Sequence, residues 1–194
     1  MRVFDGFLQN RKNPESKHQR KFMQVVRTTG VERRFSENEV IVSKTDLSGK
    51  ITYANDVFLR LANLTEQEAL GAPHSLIRHP DMPRAVFKLL WDTLQAEKEI
   101  FAYVINMAKN GDHYWVLAHV TPSYDLEGQI VGYHSNRRVP DAKALEAIQP
   151  LYAHLKEIES ARSDSKEGMD KATQCLVETL GEKGVTYEEF IFAL

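Results

Sequence analysis

An Asn-Gly turn between two apolar segments constrains the fold of this chain most strongly. The segments 101–108 and 113–123 are rich in β-branched and aromatic residues, and Lys109-Asn-Gly-Asp112 separates them. An Asn-Gly pair in such a setting is a strong signal of a tight β-hairpin. We therefore predict two antiparallel strands here, and the turn residues 125–128 predict a third strand over 129–138.

Two further strands and several helices are predicted ahead of this hairpin. Residues 40–46 and 51–54 have the composition of strands on either side of a turn, and Asn55 is a suitable helix N-cap. Thr65 and Glu68 have the spacing of a capping box for the next helical turn. A longer helix is predicted from apolar side chains that recur every three or four residues: Val86, Phe87, Leu90, Trp91 and Leu94. This order predicts an α+β fold, in which a five-stranded antiparallel sheet carries helices on one face.

The chain is predicted to have three parts. Residues 39–140 would form the sheet domain, preceded by an N-terminal helical cap over 1–38 with one or two short helices. A C-terminal helical extension is expected over 141–194, where apolar residues recur at helical spacing. The weaker pattern over 160–168 allows this extension to hold two helices.

Composition and charge exclude several classes of function. The chain has 194 residues with a net charge of −2, so it lacks the basic surface of a nucleic-acid-binding protein. Its one cysteine, Cys175, excludes an internal disulfide. No apolar run is long enough to span a membrane, and no signal peptide is evident, so we expect a cytoplasmic protein without membrane insertion. No hydrolase, kinase or metalloprotease motif is present, which predicts neither catalytic nor metal-ligating residues.

The segment 74–84 concentrates charged and ring-bearing side chains just ahead of the longer helix. An imidazole, a guanidinium, a carboxylate and rigid prolines in one loop suit the binding of a flat, charged cofactor. Large side chains that could line such a slot follow at Phe87, Trp91, Tyr114 and Trp115. Asn106 is the one strongly polar residue in an apolar strand, and alternation places it on the same face as Val116. A satisfied core amide is the alternative interpretation of Asn106.

Several of these segments resemble PAS domains of the flavin-binding type found in bacterial aerotaxis receptors. The resemblance covers about residues 32–140. It rests on four stretches: Ile41-Val-Ser-Lys-Thr-Asp46, Ile51-Thr-Tyr-Ala-Asn55, Arg78-His-Pro-Asp-Met-Pro83 and Lys109-Asn-Gly-Asp-His-Tyr-Trp115. The Arg-His-Pro-Asp-Met-Pro sequence is the most specific of the four.

The resemblance implies a non-covalently bound FAD between the sheet and its helices, with the redox state of the flavin as the signal. FMN and haem are the alternative cofactors. His74 stands where light-sensing flavin PAS domains have their adduct-forming cysteine, so covalent photochemistry is not expected. Asn106 and His134 match a flavin-contacting asparagine and a ring-facing glutamine of those domains. The implied cofactor-binding residues are His74, Ile77, Arg78, His79, Asp81, Phe87, Trp91, Asn106, Tyr114, Trp115, Val116 and His134.

Two of these residues have more specific roles under the resemblance, and one has a structural alternative. Arg78 and His79 could contact the FAD diphosphate or flank the ring, because arginine forms bidentate contacts with phosphate. Asp81 could instead be the N-cap of the following helix and pair with Arg78. A Glu99-Ile100 pair departs from the family, whose members often have Pro-Trp there.

The chain has the features of a sensor and no recognisable output domain. We therefore expect a separate signalling partner, such as a membrane-bound chemotaxis receptor, or a homodimer. Two alternatives stay open at this point. One is a haem-binding PAS gas sensor, with His74, His79 or His134 as the axial ligand. The other is a PAS module without a cofactor that only dimerises.

Overall fold

The computed structural model describes residues 26–194. The helices expected within residues 1–25 lie outside the described residues. Residues 26–38 run as an extended segment beside the hairpin of residues 108–113, where Glu32 forms a parallel bridge with His113. Within 26–194, no helix combines the length and the apolar character needed to cross a bilayer.

The predicted five-stranded antiparallel sheet is confirmed. Its strands are β1 (Ile41–Thr45), β2 (Ile51–Ala54), β3 (Ile100–Met107), β4 (His113–Tyr124) and β5 (Ile130–Arg138). They are arranged in the order β2-β1-β5-β4-β3, so the first hairpin lies beside the last strand. Gly111, at φ +93°, forms the predicted tight turn between β3 and β4.

Six α-helices and one short 3₁₀ helix complete the described part of the chain. The helices between β2 and β3 are α1 (Asp56–Ala62), α2 (Glu66–Ala69), the 3₁₀ helix His74–Ile77 and α3 (Arg84–Gln95). The extension contains α4 (Ala142–Ser160), α5 (Ser165–Lys183) and α6 (Tyr187–Phe192). Asn55 caps α1, and Thr65 with Glu68 forms a capping box on α2, as their positions in the sequence predict.

The two faces of the sheet have different partners, because side chains alternate along each strand. We call the face toward α1–α3 the inner face. Paired strand positions place these side chains on it: Ile41, Ser43, Val104, Asn106, Tyr114, Val116, Ala118, Ser135 and Arg137. All of them are buried, so α1, the 3₁₀ helix and α3 cover this face closely.

The extension packs on the other side of the sheet and around its β3 edge. The Tyr152 hydroxyl of α4 donates to the Tyr103 carbonyl of β3 at 2.6 Å, and the Tyr152 ring contacts Trp115. Phe192 of α6 contacts Phe101 edge-on. The buried residues of α4, α5 and α6 join those of the sheet and α1–α3 in one hydrophobic core. Movement within the sheet domain can therefore reach the extension through direct contacts.

Candidate cofactor site on the inner face

A buried arginine is the centre of the inner face. Arg137, only 4% exposed, donates through Nη2 to the Ser43 hydroxyl at 2.9 Å and to His74 Nε2 at 2.8 Å. Its guanidinium also lies 5.6 Å from the centre of the Phe58 ring. A guanidinium can only donate hydrogen bonds, so His74 Nε2 is the acceptor and carries no proton.

Arg137 retains its charge without a carboxylate beside it. Burial lowers its pKa to about 10, an effect that the nearby Tyr114 hydroxyl opposes. The guanidinium is thus charged at neutral pH, and no ion pair joins it to an acid within residues 26–194. A buried charge without a counter-charge is costly, so this site favours a ligand that is anionic or rich in hydrogen-bond acceptors.

Four buried donors on the inner face have no hydrogen-bond partner within residues 26–194. They are Asn106 Nδ2, Tyr114 Oη, Ser135 Oγ and Arg137 Nη1. Each such group costs about 1–3 kcal/mol when it is left unpaired, and native proteins contain few of them. Their concentration on one face of one sheet matches a ligand with several acceptor atoms along its edge.

The loop ahead of α3 closes this site from the helix side. Arg78 lies over the Phe87 ring at 4.5 Å, and its backbone pairs with Asn106 at the β3 edge. His79 is buried, and its Nδ1 accepts a hydrogen bond from the Asp81 backbone at 3.1 Å. Burial lowers the pKa of His79, with Asp81 acting in the opposite direction. The specific Arg-His-Pro-Asp-Met-Pro sequence therefore borders the strand that carries Asn106.

The structural alternative for Asp81 is wrong, because this residue does not cap α3. The helix begins after Pro83, which offers no side-chain cap, while Asp81 is exposed and interacts with His79. The N–H of Ala85 in the first turn is instead bonded by Glu159 of α4, at 2.9 Å. The sequence could not predict this contact, because 74 residues separate its two partners.

Most of the predicted site residues lie around the inner face, but Asp81 is exposed and two others face away from it. Ile77, Tyr114 and Val116 are buried beneath the helices, and Trp91 meets the Tyr133 ring edge-on at 5.3 Å. Trp115 and His134 point to the opposite face of the sheet. Trp115 packs on Tyr152, and His134 bonds Asn136.

The register of the strands explains why Trp115 and His134 were predicted on the wrong face. It also explains why Ser135 and Arg137, which face inward, were missed. Along β5, Ser135 and Arg137 pair with inner-face residues of β1 and β4, so His134 between them must face outward. Trp115 faces outward for the same reason, because its neighbours Tyr114 and Val116 face inward. Ser135 and Arg137 did carry a signal in the sequence: two polar residues that stand two positions apart in a strand share one face of the sheet.

His74 makes the stability of the fold depend on pH. Burial and the neighbouring Arg137 charge lower its pKa to about 3. Between pH 6.5 and 3 the unfolded chain binds a proton at His74 that the native chain does not, so native stability falls as pH falls. We expect the difference in unfolding free energy between the wild type and His74→Asn to change by about 1.4 kcal/mol per pH unit below 6.5.

Urea denaturation of both proteins between pH 7.5 and 4.5 measures this difference. Asparagine retains groups that can hydrogen-bond to Arg137 and Ser43 but does not titrate, so the variant should lose part of the acid sensitivity. Parallel pH profiles for the two proteins would show that His74 is protonated in the native state.

Comparison with known proteins agrees with this fold. A family model described as PAS fold matches residues 51–137. The aerotaxis receptor of Escherichia coli (strain K12) is 42% identical over 120 residues, which are 62% of this chain and 24% of that protein. Phototropin-2 of Oryza sativa subsp. japonica is 26% identical over 143 residues, which are 73% of this chain and 16% of that protein. The chain thus matches a quarter or less of the length of these curated relatives.

A solved structure supports the same assignment at the level of the fold. This structure, of a light-oxygen-voltage domain studied with a flavin analogue, superposes with a TM-score of 0.51 at 20% identity. The superposition covers 57% of this chain and 83% of that chain. Strand order and the hairpin at Gly111 agree with this fold. The five-stranded domain of the chain therefore has the PAS fold: the PAS family model matches residues 51–137, and the chain is similar to the aerotaxis receptor over 120 residues.

Proposed function

We propose that this protein is a redox sensor that binds a flavin, FAD in the first instance, on the inner face of its PAS domain without a covalent bond. The observation that carries the proposal is the group of four donors on the inner face, Arg137 among them, that have no hydrogen-bond partner within the described residues. An isoalloxazine ring presents carbonyl oxygens and ring nitrogens along one edge, and these acceptors suit such donors.

The residues present fit a flavin in their chemistry. Asn106, Ser135 and Arg137 would hold the polar edge of the ring, and Tyr114 would contribute its hydroxyl. Arg78, at the mouth of the site, is suited to the diphosphate. When bound, the flavin supplies reversible electron uptake, and the charge of Arg137 favours forms of the ring that carry negative charge. Cys175 lies on α5 in the extension, so no cysteine of the described part is placed for a covalent adduct.

Flavin binding requires the covering segment to move. Tyr114, Val116 and Ala118 are each at most 2% exposed, so side chains fill the space that a ring would occupy. The segment 71–83 contains only one short 3₁₀ helix. A few backbone hydrogen bonds attach it to β2 and the preceding turn, and the Arg78 bridge to Asn106 and the His74 bond to Arg137 would have to adjust with it. We infer that this segment shifts outward when the ring enters.

The comparisons support a sensor rather than an enzyme. The relatives in which this domain is found include a receptor for aerotaxis, and the superposed structure concerns a flavin analogue. By analogy we propose a cytoplasmic protein that signals to a chemotaxis-type receptor or acts as a homodimer. We also retain the division into an N-terminal cap (1–38), a PAS sensor domain (39–140) and a helical extension (141–194) as a proposal.

The absorbance spectrum of freshly purified protein tests the proposed cofactor. We expect flavin bands in the near-ultraviolet and blue, and chromatography of the supernatant after boiling should identify FAD rather than FMN. A Soret band would identify haem instead. Protein that stays colourless after incubation with excess FAD and FMN would contradict flavin binding and favour a module without a cofactor.

Asn106→Ala should weaken flavin binding without unfolding the protein. The variant removes a donor that is unpaired in the ligand-free chain, so ligand-free stability should change little, whereas about tenfold in affinity is expected to be lost. Fluorescence titration with FAD measures the affinity. Asn136→Ala is the matched control, because Asn136 lies on the same sheet but faces the opposite side. Equal affinities for the two variants would argue against a role for Asn106.

A further inference from the structure

The helical extension is attached to the end of α3 that borders the proposed site. Helix α3 begins at Arg84 without a side-chain cap from its own segment, so its first N–H groups need partners from elsewhere. Glu159, near the end of α4, accepts a hydrogen bond from the Ala85 N–H at 2.9 Å. We call this bond the Glu159 contact. A carboxylate at a helix N-terminus is also favoured by the helix dipole.

The hairpin formed by α4 and α5 is built closely around this contact. Gly168 of α5 has no room for a side chain, because a Cβ there would lie 2.4 Å from the Glu159 carbonyl oxygen. Arg84 donates to the Ser165 carbonyl of α5 at 2.9 Å, which adds a second polar link between α3 and the hairpin. The hairpin therefore meets α3 at one defined place, immediately after the Arg-His-Pro-Asp-Met-Pro sequence.

Glu159 is a buried carboxylate, and only one of its two oxygens accepts a hydrogen bond within the described residues. The residue is 7% exposed, and its Oε2 accepts no hydrogen bond within the described residues. Its ion-pair partner is Lys156, with 3.5 Å between Nζ and Oε2. An additional negative charge nearby would thus act on a carboxylate that is poorly shielded by solvent.

Arg78 connects the Glu159 contact with the proposed site. Burial and the nearby Arg84 lower the pKa of Arg78, and the negative charge of Glu159 opposes this shift. Arg78 lies in the segment that leads into α3, and its guanidinium packs over Phe87 of that helix at 4.5 Å, so it borders the end of α3 that Glu159 holds. An anion that binds Arg78 would compete for the charge of Arg78 and repel Glu159.

We propose that the Glu159 contact is the releasable link between the sensor domain and its helical extension, and that an anionic ligand bound at Arg78 loosens it. This inference deepens the proposed function and rests on it for the identity of the ligand. It supplies a physical route from the site to the extension. Entry of a ring requires segment 71–83 to shift, and that segment leads directly into the end of α3 that Glu159 holds.

Linkage makes the effect reciprocal. If a bound anion weakens the Glu159 contact, then breaking this contact must strengthen anion binding by the same factor, and removing the negative charge of Glu159 must also strengthen it by removing the repulsion. Glu159→Gln retains an acceptor for the Ala85 N–H and removes the charge. We expect it to bind FAD about fivefold more tightly while the hairpin stays attached. Glu159→Ala removes the acceptor and should loosen the attachment of the hairpin to α3 even without ligand.

Hydrogen exchange of the full chain, followed by mass spectrometry, tests both steps. In Glu159→Ala, peptides from α4, α5 and the start of α3 should exchange about tenfold faster than in the wild type, while sheet peptides keep their protection and so report an intact fold. In the wild type, saturating FAD should accelerate exchange in the hairpin. Glu157→Gln is the matched control, because it removes the same charge from an exposed position of the same helix.

Different failures have different meanings. Unchanged hairpin exchange in Glu159→Ala would overturn the link itself, whatever the ligand. FAD could bind without changing hairpin exchange, and Glu159→Gln could bind FAD with the wild-type affinity. In that case the coupling is wrong and the proposed function stands. If FAD does not bind, the proposed function fails, and inorganic pyrophosphate becomes the probe. Faster hairpin exchange with pyrophosphate would support the coupling, and no change in exchange would overturn it.

Discussion

Replacing Arg137 with methionine should weaken flavin binding by about tenfold to a hundredfold, because a hydrogen bond from a charged group contributes about 1.5–3 kcal/mol. The ligand-free protein should respond differently. Arg137 is a buried cation without a carboxylate partner in the described residues, and apolar replacement of buried charges is often neutral or stabilising. We therefore expect ligand-free Arg137→Met to be at least as stable as the wild type.

The opposite directions of these two effects separate a binding role from a structural one. FAD titration measures the first effect and urea denaturation measures the second. Arg138→Met is the control, because Arg138 is the next residue and lies exposed on the other face of the sheet. A variant that loses ligand-free stability and retains its FAD affinity would show that Arg137 serves the fold through Ser43 and His74.

Replacing Gly132 with alanine should destabilise the fold by about 3 kcal/mol, since overpacking a close backbone contact forces one strand to move. A Cβ at Gly132 would lie 2.2 Å from the Thr45 carbonyl oxygen, where the end of β1 approaches β5. The Cβ is attached directly to the backbone of β5, and the carbonyl oxygen belongs to the backbone of β1. No side-chain rotation can therefore relieve the clash. The pairing of β1 with β5 carries Ser43 beside Ser135, so the damage should extend to the inner face.

The midpoint of urea denaturation measures the loss. Gly181→Ala provides the comparison, because Gly181 lies inside α5 and a Cβ there meets no atom within 4 Å. Alanine in a helix interior is favoured over glycine, so this control should gain about 0.5–1 kcal/mol. Similar midpoints for Gly132→Ala and the wild type would mean that β1 and β5 can separate at low cost.

Local sequence signals predicted the elements of the sheet domain well. The Asn-Gly turn, the caps at Asn55 and Thr65 and the apolar spacing of α3 each depend on residues close together in the chain. The break between α4 and α5 was also visible, because the helical pattern weakens over 160–168. Interactions of this range act on a few consecutive residues, so the sequence displays them directly.

The sequence predicted the positions of some candidate site residues on the inner face and misplaced others. Asn106, Tyr114 and Val116 follow from alternation around one well-defined hairpin, where the turn fixes the register. His134 was misplaced because its assignment came from matching the family and not from the register of β5. A shift of one residue moves a side chain to the other face of a sheet, so an alignment that is correct for the strand can still be wrong for the face.

The sequence by itself determined the PAS architecture and the segments that border the site, because turns, caps and periodicity are local. Only the tertiary structure placed Arg137 beside Ser43 and His74, since these three residues come from β5, β1 and the 3₁₀ helix. The same holds for the cap that Glu159 supplies to α3 from the far end of α4. Contacts between residues so distant in the chain depend on how the sheet and helices pack, and no local pattern encodes them.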